Sequence, residues 1–511
     1  MSQTANRIVK NTVFLYARMG ITMFISLWTT RIVLNALGVS DFGIYSIIGG
    51  AIGMLGFLNS SLANSTLRFM SYAEGSGCMD RKLRTFNMSV LLHFFIGTIS
   101  VLLLSAAGFL FFNGLLNIPN GRESAAVFVY GGLVLSTFLQ MQNVPYEAVL
   151  NAHENMRFYA ITGFIESVLK LSIAFCCVYT LYDKLIVYGL LMALLPALMF
   201  LVLASYCRKR YKECKLHPFR YYEKSLLKEL TSFASWRMLE STASLITMQG
   251  VSVLLNAFGG VIVNTAHGIA NQLSGQLLAF SNGMLKALNP VIVKRQGAGE
   301  MNNMMQAAIT GCKLSFFLYA IVAIPFIVET PYLLGLWLNQ VPEWAVMFVR
   351  LVLIRQLFSQ ITITLDTCVL ATGHIKNFSI AGTIIWALPM GVGIIMYNMG
   401  APIYTIYILL IIMVLIRCLK NFYFCNKLCS LHVKSFFNDV YSPCCVSLII
   451  MFALIGSFSS CQPMSLCRAL VVLFMSPILF LFASYYILFN QTERMIILDM
   501  LNHLKKRLNH L

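Results

Sequence analysis

Two opposite charges lie four residues apart inside an apolar segment of the chain. The segment FIESVLKLSIAF, 164–175, carries Glu166 and Lys170. Residues at this spacing share a helix face, so the carboxylate and the ammonium can neutralise each other. A charge near the bilayer centre costs about 2.5–3.5 kcal/mol on insertion scales, so such residues normally face a protein interior or a watery cavity. The pair therefore either holds helices together or lines a cavity.

Further polar residues recur at helical spacing in apolar segments. Residues three, four, seven and eleven apart lie on one helix face. These stripes are Arg18, Thr22 and Ser26; Gln140, Asn143, Glu147 and Asn151; Arg237, Glu240, Ser241 and Ser244; Asn264, His267, Asn271, Ser274, Asn282 and Lys286; and Arg355, Ser359, Thr362 and Asp366. A single serine, threonine or asparagine in such a place commonly only bonds two helices together. Five stripes in one bundle favour a cavity lined by hydrophilic groups.

The charged residues within the apolar segments are mostly basic. The basic ones are Arg18, Lys170, Arg237, Lys286, Lys313, Arg350 and Arg355, and the acidic ones are Glu147, Glu166, Glu240 and Asp366. Arginine offers a fork of donors that matches phosphate oxygens. The surplus of positive charge predicts an anionic substrate group, such as a phosphate or pyrophosphate. Glu166, Glu240 and Asp366 are the candidates for coupling to Na⁺ or H⁺.

Membrane-spanning helices must position these residues. Hydrophobic residues make up 58% of the 511 and charged residues only 11%, whereas a soluble domain would carry about 25% charged residues. The mean hydropathy is +0.76, and apolar runs of about 20 residues, the length that crosses a bilayer, recur along the chain. We predict an all-α, polytopic membrane protein.

Apolar windows predict fourteen spans. Their approximate ranges are 12–36, 44–68, 86–112, 124–150, 157–181, 185–206, 231–256, 262–288, 304–328, 344–371, 377–397, 402–424, 440–458 and 467–489.

The distribution of basic residues predicts the orientation of these spans. With the N-terminus in the cytoplasm, 26 of the 37 Lys and Arg residues fall on cytoplasmic loops and tails, Arg417 and Lys420 among them. Because loops rich in Lys and Arg stay in the cytoplasm, we predict that both termini are cytoplasmic. The net charge of +18 then follows mostly from topology; it indicates contact with membrane lipids and no nucleic acid.

Three short segments recur in the same order at a nearly constant offset. VLNALG (33–38) returns as LLNAFG (254–259), EGSG (74–77) as QGAG (296–299), and VLNAHENMRF (149–158) as VLATGHIKNF (369–378). Each repeat holds six predicted spans, so the two halves share one orientation. Parallel repeats with a substrate site between them are a transporter architecture. We predict an N-lobe over 1–215, a C-lobe over 216–430 around a central cavity, and two additional spans with a basic tail over 431–511.

The N-terminal segment resembles that of one transporter family. KNTVFLYARMGITMFISLWTTRIVLNALGVSDFGIYSII, 10–48, has a polar helix start, Arg18 in the first span, and LG-x-x-x-[FY]-G at Leu37, Gly38, Phe42 and Gly43. This pattern, with fourteen spans and two six-helix lobes, is similar to the polysaccharide-unit (O-antigen or lipid-linked oligosaccharide) flippases of the multidrug/oligosaccharidyl-lipid/polysaccharide exporter superfamily.

The resemblance implies a transporter that flips undecaprenyl-pyrophosphate-linked oligosaccharides to the outer leaflet of a bacterial inner membrane, for surface polysaccharide such as lipopolysaccharide. Spans one, two, seven and eight line the central cavity in that family. This implies lining by Arg18, Arg31, Arg237, Glu240, His267 and Lys286. Lys170 and Arg355 complete the candidate substrate-binding residues. The expected partners are the lipid-linked oligosaccharide, membrane lipids and other polysaccharide-assembly proteins.

Two other functions have different requirements. A multidrug exporter of the same superfamily would carry organic cations in about twelve spans with a net acidic cavity. A membrane-embedded polysaccharide polymerase or glycosyltransferase usually needs a large extramembrane loop with paired acids or a metal site. The longest predicted outer connection, 328–344, contains only two acidic residues, Glu329 and Glu343. We therefore expect no enzyme, no cofactor beyond a coupling Na⁺ or H⁺, and no metal site.

Overall fold

All regular secondary structure in the described part of the chain is helical. The computed structural model describes residues 2–53, 56–115, 118–119, 121–338, 340–491 and 493–495. The α-helices are α1 Ser2–Gly53, α2 Gly56–Gly75, α3 Met79–Leu110, α4 Glu123–Ala152, α5 Met156–Tyr179, α6 Lys184–Arg210, α7 Lys224–Gly297, α8 Met301–Trp337, α9 Ala345–Gln360, α10 Ile363–Thr372, α11 Lys376–Asn398, α12 Thr405–Cys429, α13 Val433–Phe436, α14 Ser442–Ser460 and α15 Leu466–Ile487. Short π-helical segments follow α3, at Phe111–Leu115, and precede α14, at Phe437–Tyr441.

The helices are long and apolar enough to make the chain a multi-pass membrane protein. Among the described residues 11 helices could span a membrane, or up to 12 if the bent pair α9–α10 forms one span. The predicted spans 231–256 and 262–288 both lie on α7, which is 74 residues long. The predicted span 44–68 is divided between α1 and α2, and its residues 54 and 55 lie outside the described residues. The predicted number of fourteen spans remains a prediction.

Backbone breaks and helix starts recur along the chain at a matching interval. Gly38 interrupts α1 with φ 76°, and Gly260, 222 residues later, interrupts α7 with φ 76°. Positive φ of this size is a conformation that glycine adopts at no steric cost. Helix α8 likewise begins 222 residues after α3, and α9 begins 222 residues after α4. These intervals agree with the offset of the sequence repeats, as a duplication predicts.

The chain divides into two compact units. The first, which we call the N-terminal unit, comprises 11–238 and 293–299. Helix α4 packs there against α2, α3, α5 and α6. Its buried face, including Ala126 and Val129, joins an apolar core with Val33, Ile48 and Leu185. Burying such side chains contributes about 1.5–3 kcal/mol each in a soluble protein; within a bilayer, close packing carries the association instead.

The two sequence motifs EGSG and QGAG meet in the N-terminal unit. A Cβ on Gly75 would lie 1.9 Å from the carbonyl oxygen of Lys294, and a Cβ on Gly297 would lie 2.2 Å from that of Tyr72. Each glycine therefore lets the end of one helix, α2 or α7, touch the backbone of the other. This reciprocal contact gives a physical reason for glycine in both copies of the motif.

The second unit, which we call the C-terminal unit, comprises 1–10, 239–292 and 300–511. Helix α8 packs there against α9, α10, α14 and α15, and α12 packs against α9, α10 and α11. Two ion pairs attach α15 and the residues after it to α8: Arg468 Nη2 lies 2.8 Å from Glu329 Oε2, and Lys313 Nζ lies 3.0 Å from Glu493 Oε2. The predicted lobe boundaries at 215 and 430 remain predictions.

Candidate functional site

Glu166 and Lys170 bond to each other on α5. Lys170 Nζ donates to Glu166 Oε1 over 2.7 Å, and the two side chains remain 42% and 36% exposed for Lys170 and Glu166. The pairing that the spacing predicts is therefore present, and each charge has its counter-charge on the adjacent turn. The pair belongs to the N-terminal unit, as do Arg18, Arg31 and Arg237.

Arg18 packs against α5 with an unusually close fit. Its Nη1 donates to the Tyr159 carbonyl oxygen over 3.3 Å, and its guanidinium carbon lies 4.3 Å from the centre of the Tyr159 ring. A Cβ on Gly163 would lie only 1.9 Å from Arg18 Nε, so this glycine makes room for the guanidinium. No carboxylate forms an ion pair with Arg18 within the described ranges. The contacts are a carbonyl and an aromatic face, which orient the positive charge without neutralising it.

The remaining basic residues predicted to line the cavity, Arg31, Arg237 and Lys286, differ in how far they are buried. Arg31 is exposed on α1. Arg237 and Lys286 lie half-buried on α7, and each makes a polar or electrostatic contact with described residues. Lys286 belongs to the C-terminal unit with His267, Arg355, Glu240 and Asp366.

Glu240 is buried in an ion pair with Lys420. Glu240 Oε1 lies 3.5 Å from Lys420 Nζ, and the side chains are 7% and 3% exposed. The Lys420 ammonium also lies 3.6 Å from the centre of the Phe378 ring. A Cβ on Gly382 would lie 2.3 Å from Glu240 Oε1, so α11 approaches the carboxylate closely only because it has a glycine there.

A second ion pair joins Asp366 of α10 to Arg417, which lies one turn before Lys420 on α12. Arg417 Nη2 donates to Asp366 Oδ2 over 3.2 Å, and the Arg417 guanidinium carbon lies 5.2 Å from the Trp386 ring centre. Asp366 Oδ1 and Asn421 Oδ1 are buried and bond to no group in the described part of the chain. Both residues line a cavity of about 10 Å³ together with Ser359, Thr362, Ile363, Val414, Arg417 and Cys418. That volume holds about one water molecule.

His267 and Arg355 lie in the same polar interior of the C-terminal unit. His267 Nδ1 lies 2.7 Å from Tyr407 Oη, and Asn271 Nδ2 lies 2.9 Å from His267 Nε2. Arg355 on α9 is 8% exposed and interacts electrostatically with Tyr407 and Tyr319. The predicted stripe on α9 and α10 is therefore placed inward.

The α4 stripe makes one bond between helices and one within its own helix. Asn143 of α4 donates to the Pro196 carbonyl oxygen of α6 over 3.5 Å, whereas Asn151 donates to the Glu147 carbonyl oxygen, one turn earlier on α4, over 2.8 Å. The Asn143 contact fits the simpler interpretation of the stripe, in which an amide holds two helices together.

Sequence reasoning misplaced Arg417 and Lys420. They were counted with cytoplasmic loops, but both lie on α12 and pair with Asp366 and Glu240. Three basic residues near the end of an apolar run look like a loop. The usable signal is their spacing: Arg417 and Lys420 are three apart and share a helix face, and two acids within apolar segments, Glu240 and Asp366, need partners.

One cluster in the N-terminal unit has the residue types of a metal site. Ligand atoms of Glu74, His153 and Glu213 lie within 4.8 Å of one another. However, Lys82 Nζ lies 2.6 Å from Glu74 Oε2, and Lys294 Nζ lies 3.9 Å from Glu74 Oε1. These ammonium groups supply positive charge where a metal would be, so the cluster works as an ion-pair network.

All three predicted ion-coupling acids thus have a basic partner: Glu166 has Lys170, Glu240 has Lys420, and Asp366 has Arg417. A Na⁺ ion or a proton at any of them would compete with a tethered ammonium or guanidinium. Arg18 in the N-terminal unit and Arg355 in the C-terminal unit, by contrast, form no ion pair with a carboxylate among the described residues.

Comparison with known proteins gives the family. A family model described as polysaccharide biosynthesis protein matches residues 8–296, and a model described as MatE matches 237–395. No curated protein matches the chain.

Several solved structures share the fold. A MATE in complex with MaD3S matches with a TM-score of 0.71 at 14% identity, covering 84% of this chain and 97% of that one. An outward-facing multidrug resistance MATE family transporter of the MOP superfamily matches at 0.67 and 13% identity, covering 83% and 96%. A MOP superfamily transporter from Pyrococcus furiosus Vc1, described as having a binding pocket of reverse polarity that suggests a different function, matches at 0.67 and 14%, covering 84% and 96%. The chain belongs to the polysaccharide biosynthesis protein family and is a transporter of the multidrug/oligosaccharidyl-lipid/polysaccharide exporter superfamily.

Proposed function

We propose that this transporter flips a polyprenyl-pyrophosphate-linked oligosaccharide from the cytoplasmic to the outer leaflet of a bacterial inner membrane. Transport proceeds by alternating access, both termini are cytoplasmic, and the product feeds surface polysaccharide such as O-antigen. One observation carries the choice of substrate. The three predicted ion-coupling acids are neutralised by basic side chains, whereas Arg18 and Arg355 form no ion pair with any carboxylate in the described ranges.

This imbalance distinguishes between substrate classes by charge. An organic cation needs an acid that is available, and each acid predicted for coupling already has a basic partner. A pyrophosphate needs cationic donors, and a guanidinium held in a low dielectric attracts phosphate oxygens strongly. The match of residues 8–296 to a polysaccharide biosynthesis protein family supports the same substrate. The sugar and pyrophosphate would enter the protein while the polyprenyl tail stays in lipid.

A multidrug exporter is the second candidate, because residues 237–395 match the MatE model and MATE transporters share the fold. The fold alone does not decide between them, since one neighbour of similar fold is itself described as having a pocket of reverse polarity. The charge pattern of the side chains is the better guide.

Deletion of the gene tests the proposal directly. Mass analysis of lipid extracts should then reveal an accumulated lipid-linked oligosaccharide, and surface glycan should fall. Normal lipid-linked sugars together with raised sensitivity to cationic drugs would instead establish the exporter.

Single substitutions test the charges. Arg18→Gln and Arg355→Gln, at normal protein levels, should each reduce surface glycan. Each should also cause the lipid-linked oligosaccharide to accumulate, as in the deletion strain. Arg157→Gln removes the same charge from an exposed position at the start of α5 and should behave as wild type. Unchanged surface glycan in both Arg18→Gln and Arg355→Gln would contradict the proposal.

A further inference from the structure

Arg355 carries a buried positive charge that no acid neutralises. The residue is 8% exposed. Among the residues that the structure describes, no carboxylate lies within ion-pair distance of Arg355 and no side-chain hydrogen bond involves it. A charge taken out of water is strongly unfavourable unless a counter-charge and hydrogen bonds compensate it. This distinguishes Arg355 from Lys420, Arg417, Lys313 and Arg468, each of which has a carboxylate partner.

The groups around Arg355 do not supply negative charge. Its electrostatic neighbours are Tyr407, Tyr319, His267 and a second cation, Arg417. Arg417 is itself neutralised by Asp366, so that carboxylate is engaged elsewhere. The interior beside Arg355 therefore remains positively charged.

The same neighbours offer hydrogen-bond donors. Asn271 Nδ2 lies 2.9 Å from His267 Nε2, and His267 Nδ1 lies 2.7 Å from Tyr407 Oη. An amide nitrogen can only donate, so in the neutral tautomer that accepts this bond at Nε2, Nδ1 donates to Tyr407. This arrangement leaves the hydroxyl hydrogen of Tyr407 available to a further acceptor. Tyr319 Oη is buried and makes no hydrogen bond of regular geometry in the described ranges; its polar neighbour is Ser274, which lies close enough to share a hydrogen bond with it. A guanidinium and two phenol hydroxyls thus share one region with few acceptors.

We infer that the C-terminal unit binds a small anion beside Arg355, with Tyr407 and Tyr319 as neutral donors. The ligand chemistry is that of chloride or of one phosphate oxygen. A free inorganic anion or the phosphate of a polyprenyl lipid could supply it. The site does not depend on the proposed substrate, because chloride alone would compensate the charge.

Thermal unfolding of the purified full-length protein in detergent tests this site. The melting temperature is measured in sodium gluconate and then with chloride, bromide, inorganic phosphate or undecaprenyl phosphate added at constant ionic strength. A ligand that binds only the folded state at ten times its Kd raises the folding equilibrium constant about 11-fold. We expect a saturable rise with chloride or phosphate in the wild type.

Variants show whether the rise depends on Arg355. Arg355→Gln should abolish it, and Arg355→Lys, which keeps the charge but loses the forked donors, should keep it at a higher half-saturating concentration. Lys427→Gln removes an exposed charge from α12 and should leave the rise intact. Should Arg355→Gln not fold, the comparison of wild type with Arg355→Lys still decides the question.

The outcomes separate cleanly. A rise with chloride or inorganic phosphate identifies a free anion, and a rise with undecaprenyl phosphate only identifies a lipid phosphate; both require Arg355. No rise with any probe, or an equal rise in wild type and Arg355→Gln, would overturn the site. The proposed flippase activity is judged separately, by the lipid-linked sugars in cells.

Discussion

Gly163 and Arg18 fit each other across α5 and α1, because a Cβ on the glycine would lie 1.9 Å from the Nε of the arginine. The missing side chain lets the guanidinium reach the ring and carbonyl of Tyr159. Arg18 therefore depends on a residue with no polar group of its own. This dependence can be tested without altering any charge.

Gly163→Ala should displace Arg18 and reproduce the transport defect of Arg18→Gln. The overpacked methyl group should cost about 1–3 kcal/mol of stability, and accumulated lipid-linked sugar measures the loss of transport. Gly131→Ala on α4 is the matched control, since a Cβ there meets nothing within 4 Å. A Gly163→Ala protein with full activity would show that the position of Arg18 is unimportant.

Lys420→Met should destabilise the protein strongly, because it leaves the Glu240 carboxylate buried without a counter-charge. Breaking a buried pair from one side typically costs about 3–5 kcal/mol. Replacing both partners, as in Glu240→Gln with Lys420→Met, should cost less than Lys420→Met alone. Melting temperatures of the four proteins in a double-mutant cycle measure the coupling. Additive losses would mean that the two groups do not interact.

The spacing of polar and apolar residues along the sequence predicted contacts between residues of the same helix. The spacing of Glu166 and Lys170 predicted a pair on one face, and they bond over 2.7 Å. The apolar runs predicted the helices themselves, including the two spans that lie on either side of the break at Gly260 in α7. Both follow from the 3.6-residue repeat, which acts over a few neighbouring residues and needs no knowledge of the rest of the fold.

Contacts between helices could not be predicted in this way. Lys420 lies 180 residues from Glu240, and Arg417 lies 51 residues from Asp366. A hydropathy window treats a basic residue near the end of a span as a loop residue and cannot identify its distant partner. Gly163 and Gly382 are invisible for the same reason: only the packed bundle shows which side chain fills the space beside each glycine.

Arg468→Met should loosen the attachment of α15 to α8. Glu329 is fully buried, and its Oε2 accepts a hydrogen bond from Arg468 Nη2 over 2.8 Å. Arg468 Nη1 also donates to the carbonyl oxygens of Ser459 and Gln462. The substitution leaves the buried Glu329 carboxylate without its cation and removes the hydrogen bonds to the α14–α15 connection, at a cost of about 3–5 kcal/mol.

Proteolysis of the 461–465 connection, alongside the melting temperature, measures this change. Arg468→Lys keeps the charge and should retain part of the stability, because it can still pair with Glu329. Equal protease resistance in wild type and Arg468→Met would argue that packing alone holds α15.

Acid should weaken the contact between His153 and the loop 211–223. Burial acts to raise the pKa of Glu213, but the hydrogen bond from His153 and further charge–charge and backbone contacts outweigh it, so its pKa lies below the ordinary value of 4.5. A carboxyl group with a lowered folded-state pKa contributes stability above its unfolded pKa, and this contribution is lost as the pH falls through the folded value.

Melting temperatures across a pH series should therefore fall more steeply below pH 4.5 in the wild type than in Glu213→Gln. Glu343→Gln, at an exposed position, should follow the wild-type profile. Parallel profiles for wild type and Glu213→Gln would show that the His153–Glu213 contact contributes nothing to the pH dependence.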